Sequence, residues 1–158
     1  MACDATARLY DVDEDSVVFE KLQKTEKYDQ GTVTFRARKG KLIDLDRLHE
    51  SIWATRLSGG TRSGLVSLEV TAIGEVVKST DQMLLKVADA NAEFALAPHP
   101  DSEHQETFAR LAGSTSDSRF RVTGVIDHYS GRWPGLLQKK PKNPRRILVT
   151  DFEVVEVP

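Results

Sequence analysis

No stretch of this chain stays apolar for more than four residues, Phe94 to Ala97. Its hydrophobic surface must therefore be hidden face by face, in alternating strands and one-sided helices. A helix that crosses a bilayer needs roughly 18 to 20 apolar residues, and none can be drawn here. Yet 39% of the 158 residues are hydrophobic, enough to offset chain entropy and exclude wholesale disorder. The length suits one domain, or two very small ones sharing a core. With 22 basic against 24 acidic residues the formal charge is −2, which speaks against a chain that is basic throughout, as dedicated nucleic-acid binders commonly are.

Cys3 is the only cysteine, which excludes an internal disulfide and any paired-cysteine metal site made by this chain alone. Met1-Ala2-Cys3-Asp4 resembles the processed start of a bacterial lipoprotein, a cysteine after a small residue. That resemblance implies a removed signal segment, a lipid anchor and a periplasmic or surface location. The other reading is an unpaired cysteine in the loose terminus of a cytoplasmic protein.

Residues 1–30 read as a polar arm, expected to be largely mobile: Asp11, Asp13, Glu14 and Asp15 cluster, Glu20 to Asp29 mixes charges, and Val17, Val18 and Phe19 make one short strand or extended arm between them. Residues 31–64 are expected as a strand–helix segment packed on residues 65–158. Val33, Phe35 and Ala37 alternate with Thr32, Thr34, Arg36 and Arg38, a half-buried strand that Gly40 breaks. Asp44 caps a helix from about Leu45 to Leu57, with Leu45, Leu48, Ile52 and Trp53 on one face, and Ser58-Gly59-Gly60 stops it. After Gly64 a long strand runs from Leu65 to Val77, with Val66, Leu68, Val70, Ala72 and Val76 on one face and Gly74 at a bend or bulge. Strand, helix and strand in that order predict an N-terminal βαβ unit, half of a ferredoxin-like arrangement.

Residues 65–158 continue with a hairpin, Met83 to Val87 and Ala92 to Ala97 about Ala88-Asp89-Ala90-Asn91. A helix from Asp101 or Ser102 to Ala112 comes next, with Phe108 and Leu111 inward and Gly113 as its stop. Phe120, Val122, Gly124 and Ile126 line one face of the next strand, and the last runs from Ile147 to Val157. Three strands, a helix and two strands are the order of the oligonucleotide/oligosaccharide-binding barrel. The segment resembles that OB-fold in its long first strand with Gly74, in the Met83 to Ala97 hairpin, and in Arg119-Phe120-Arg121-Val122-Thr123-Gly124-Val125-Ile126 with its mid-strand glycine. An SH3-like or other small barrel is the alternative. The expected fold class is α+β, the βαβ segment joined to a five-stranded OB-like β-barrel with one helix. Thr32 to Val77 more faintly resembles a heavy-metal-associated domain. Its loop before the helix, Lys39 to Asp44, has no cysteine or histidine, so that resemblance implies a scaffold without the metal chemistry.

The residues that point to a site gather between the last two strands. Arg132, Lys139, Lys140, Lys142, Arg145 and Arg146 place a charge of +6 in a stretch with no acid, on a connection that OB-folds commonly use to grip ligands. Tyr129 and Trp133 beside it can stack on bases while the cations neutralise phosphates, the combination expected for single-stranded nucleic acid. An acidic protein, a phospholipid surface or an anionic glycan would meet the same loop equally well. The plainer reading is a solvated loop stiffened by Pro134, Pro141 and Pro144. His99 and His104 flank Asp101 and Glu103, which reads more simply as an exposed polar loop than as a metal site. His128 with Asp127 falls at the rim of the same ligand face. The glycine-rich Ser58 to Gly64 comes after a helix and does not precede one, so it reads as a turn. No serine sits in a strand-turn-helix elbow, and no cofactor motif is present. These features predict a non-catalytic binding or accessory protein that meets an anionic ligand through Tyr129, Arg132, Trp133, Lys139, Lys140, Lys142, Arg145 and Arg146. The alternative is an exported or lipid-anchored accessory protein that mediates protein–protein assembly.

Overall fold

The acidic start of the chain, expected as a mobile arm, holds two fully buried residues, Thr6 and Val12. In the computed structural model, which describes residues 2–24, 29–56, 60, 64–65, 67–114, 118–127 and 146–155, the chain forms two compact units, Met1–Leu65 and Val66–Pro158. The first unit opens with helix α1 (Ala2–Ala7), so Cys3 lies in a helix and not in a loose end. A single 3-10 turn (Glu14–Ser16) leads into β1 (Val18–Lys24), which pairs antiparallel with β2 (Asp29–Thr34). Helix α2 (Leu45–Ala54) packs against α1. Thr6, Val12, Leu48 and Ile52 are the buried residues described in this unit.

Two local sequence features shape it. The Asp44 carboxylate accepts the amides of Asp46 (3.0 Å) and Arg47 (3.1 Å), satisfying two donors that a helix start leaves open. At the other end Thr55 adopts an extended conformation and caps the helix itself: its amide donates to Ile52 O and its hydroxyl to Ser51 O. The helix therefore ends before Leu57, and Leu57, Ser58 and Gly59 lie outside the described residues.

The strand expected through Ala37 stops at Thr34, but the chain beyond it finds a second partner. Ala37 bridges Val12, Asp13 donates to Arg36 O (2.9 Å), and Arg38 donates to Asp11 O (2.8 Å).

No βαβ unit forms. β2 belongs to the two-stranded sheet with β1, whereas β3 (Glu69–Lys78) belongs to a separate five-stranded one. Alternation shows that each strand has an apolar face, and the antiparallel neighbour β1 supplies β2's pairing instead of a crossover. The resemblance to a heavy-metal-associated domain depends on that crossover arrangement, which the described sheets do not contain.

The second unit contains β3, β4 (Met83–Val87), β5 (Ala92–Pro98), α3 (Ser102–Gly113), β6 (Arg119–Ile126) and β7 (Arg146–Val155). The five strands close on themselves in the order β3-β4-β5-β7-β6. All pairs are antiparallel except β5 with β7, which run parallel from Ala95↔Arg146 to Pro98↔Val149. A parallel pair needs a crossover, and α3 with β6 makes it. Val76, Leu85, Phe120, Val122, Ile126, Ile147 and Val149 are buried, as is Leu111 of α3, the helix that packs against β7 and β5. That helix ends on Ser114, whose amide and hydroxyl both donate to Leu111 O. Gly113 is its last helical residue and takes no left-handed conformation.

Closure brings backbones together at two glycines. β3 pairs with β6 from Glu69 to Glu75 and with β4 from Glu75 to Lys78, so Gly74 sits where the strand passes from one neighbour to the other. A Cβ there would lie 2.2 Å from Lys86 O. A Cβ on Gly124 would lie 2.3 Å from Leu148 O and 2.6 Å from Ile147 Cγ2, beside the register shift between Thr123 and Gly124. Both requirements are for space, since neither glycine has a positive φ.

Gly74→Ala and Gly124→Val are each expected to cost about 1–3 kcal/mol, a fall of about 2–4 °C in Tm per kcal/mol for a chain of this size. Gly64→Ala, where a Cβ meets nothing within 4 Å, serves as the control. An unchanged melting curve for Gly124→Val would contradict the close approach of β6 and β7.

Candidate functional site

β6 ends at Ile126 and β7 begins at Arg146, so the basic connection springs from the barrel rim. Tyr129, Arg132, Trp133, Lys139, Lys140, Lys142 and Arg145 lie outside the described residues, as does His128. Arg146 is described, and it is engaged. Its Nε donates to Asp127 Oδ2 at 3.0 Å, and its Nη2 donates to the same oxygen. The Asp127 amide in turn donates to Arg146 O at 2.9 Å. Main chain and side chain thus tie both ends of the connection together at the rim.

This pair changes the charge available to a ligand. Six basic residues lie between Arg132 and Arg146 in the sequence, and compensation of Arg146 by Asp127 leaves five. A stretch free of acid gives no sign of Asp127, which lies just outside it in sequence and directly across the strand pair in space. An acid closing one strand and a base opening its antiparallel neighbour is the signal that points to such a pair.

Other cations of the unit are occupied as well. Lys86 pairs with Glu93 across β4 and β5 at 3.5 Å, and Arg121 pairs with Glu153 across β6 and β7. Lys78 Nζ donates to Ser114 O at 2.6 Å, and the Arg110 guanidinium lies 5.6 Å from the centre of the Phe152 ring. Beside the anchored rim, cross-strand register sets Leu84, Ala95 and Arg146 in one row on a common face. Leu84 and Ala95 are only half-buried there.

His99 and His104 do approach each other, ring centres 5.0 Å apart and edge to face. His99 Nδ1 is spent on the Asp101 amide (3.1 Å), where it helps order the start of α3. Among the described residues no three His, Cys, Asp or Glu side chains gather as metal ligands.

A second constellation, unforeseen in the sequence, lies in the first unit. Tyr10 is 66% exposed, and its ring centre lies 5.7 Å from the Arg38 guanidinium and 5.4 Å from Lys41 Nζ. The bridge between Val12 and Ala37 brings these distant segments together. Opposed charges at Asp11 to Asp15 and Arg36 to Lys41 are the hint that the sequence offers.

No family model, curated protein or solved structure matches this chain. The site rests on its own geometry.

The Arg146 and Asp127 side chains are 53% and 19% exposed, so solvent screens the pair. A double-mutant cycle with Asp127→Asn and Arg146→Gln is expected to show about 0.2–1 kcal/mol of coupling in thermal or urea unfolding. Strictly additive effects would contradict the contact.

Proposed function

We propose that the second unit is an OB-like barrel and that the protein is a non-catalytic binding protein. Its ligand is anionic, a single-stranded nucleic acid in the first instance, gripped by the connection between β6 and β7. Closure in the order β3-β4-β5-β7-β6, with a helix between the third and fourth strands of the barrel, supports the fold assignment. A fold of this kind fixes no ligand, so the functional reading rests on the connection.

The observation that carries it is the anchoring of that connection by Asp127 and Arg146 at the barrel rim. A connection whose two ends are fixed beside each other has less freedom to lose on binding a ligand than one whose ends move independently. Arg132, Lys139, Lys140, Lys142 and Arg145 supply charge for phosphates, and Tyr129 and Trp133 supply stacking surfaces for bases.

Titration of a labelled oligonucleotide at two salt concentrations tests this. Affinity is expected to fall steeply with salt as counterions are released, and Trp133→Ala is expected to weaken binding by about 1–3 kcal/mol. Absence of binding at low salt rejects a nucleic-acid ligand. Binding indifferent to Trp133→Ala removes base stacking from the proposal.

A further inference from the structure

We propose that the first unit carries its own surface for single-stranded nucleic acid, built on Tyr10, Arg38, Lys39 and Lys41, independent of the connection between β6 and β7. Tyr10 offers an aromatic surface that is mostly open, and such rings accept any base by stacking. The cations beside it are organised before a ligand arrives. Arg38 Nε donates to Val12 O at 2.8 Å, which fixes the guanidinium while its Nη groups have no hydrogen-bond partner among the described residues. Arg38 O accepts the Lys41 amide (2.9 Å) in a turn where Gly40 has a φ of 70°, and that turn brings Lys41 back over the Tyr10 ring. Both cations sit within the roughly 6 Å range of a cation–π contact.

Charge is segregated along the pairing of the two segments. Asp13 lies 4.0 Å from Arg36, at the far side of the bridge between Val12 and Ala37. At the Tyr10 end, Arg38, Lys39 and Lys41 stand against Asp11 and Asp44, three positive charges against two negative, and the Asp44 carboxylate already accepts the amides of Asp46 and Arg47. An exposed ring beside cations with unused donors matches the alternation of base and phosphate in a single strand. An acidic protein would use the cations and leave the ring without a role.

The test uses the full chain in which Arg132, Lys139, Lys140, Lys142 and Arg145 are replaced by serine. A labelled oligothymidylate is titrated by anisotropy, with inorganic phosphate as competitor. Residual oligonucleotide binding is expected in this background. Tyr10→Ala is expected to weaken it about 5- to 140-fold, and Tyr10→Phe to preserve it. Lys41→Ala, at an exposed position with no other described side-chain contact, is expected to lower the salt slope by about 1 even if Tyr10→Ala proves poorly folded. Loss of all binding in the serine background, or residual binding unmoved by Tyr10→Ala and Lys41→Ala, overturns the proposal. So does competition by inorganic phosphate at the oligonucleotide's own concentration. If the serine replacements leave the parent affinity intact while Tyr10→Ala abolishes it, the barrel connection fails as a site and this one stands.

Discussion

Five strands can close into a barrel this small only if neighbouring backbones approach where an ordinary side chain would intervene, and the second unit meets that demand at Gly74 and Gly124. At Gly74, β3 leaves β6 and takes up β4; at Gly124, β6 lies against the backbone of Leu148. These approaches let Phe120, Val122, Ile126, Ile147 and Val149 fill one interior. They also allow the single parallel contact, β5 with β7, that completes the ring. Without it, β5 and β7 would expose unpaired edges, and the start of β7 would have no fixed position beside β5.

That fixed position makes the rim meaningful. Because β6 ends and β7 begins as paired neighbours, Asp127 and Arg146 meet, and the basic connection leaves the barrel from a defined base. In the first unit the same logic operates on a smaller scale. One bridge between Val12 and Ala37 aligns an acidic and a basic segment, and the Tyr10 end retains the surplus of positive charge. In both units the structural step is a backbone pairing, and the chemical surface is set by the residues that the pairing brings together.

Side-chain periodicity makes much of the barrel legible. The inward row of Phe120, Val122, Gly124 and Ile126 and the hairpin about Asn91 can be read because each is a local pattern of alternation or turn chemistry. Periodicity does not name a strand's partner, and so it points β2 to a crossover with β3 although β1, lying in a polar segment, is its neighbour. Helix ends are legible only where a side chain caps without competition: Asp44 acts as expected, whereas Thr55 and Ser114 end their helices before or beside the glycines that the sequence offers as stops. The ion pair of Asp127 with Arg146 and the cations around Tyr10 join residues that no short window contains together.

The closed barrel of the second unit depends on the pairing of β5 with β7, which nuclear Overhauser contacts across that pair can read. In the labelled full chain, contacts between Leu96 and Ile147 and between Ala97 and Leu148 are predicted, together with slow amide exchange in β5. Absence of those contacts, with β5 amides exchanging as an open edge, would contradict closure and with it the anchored rim.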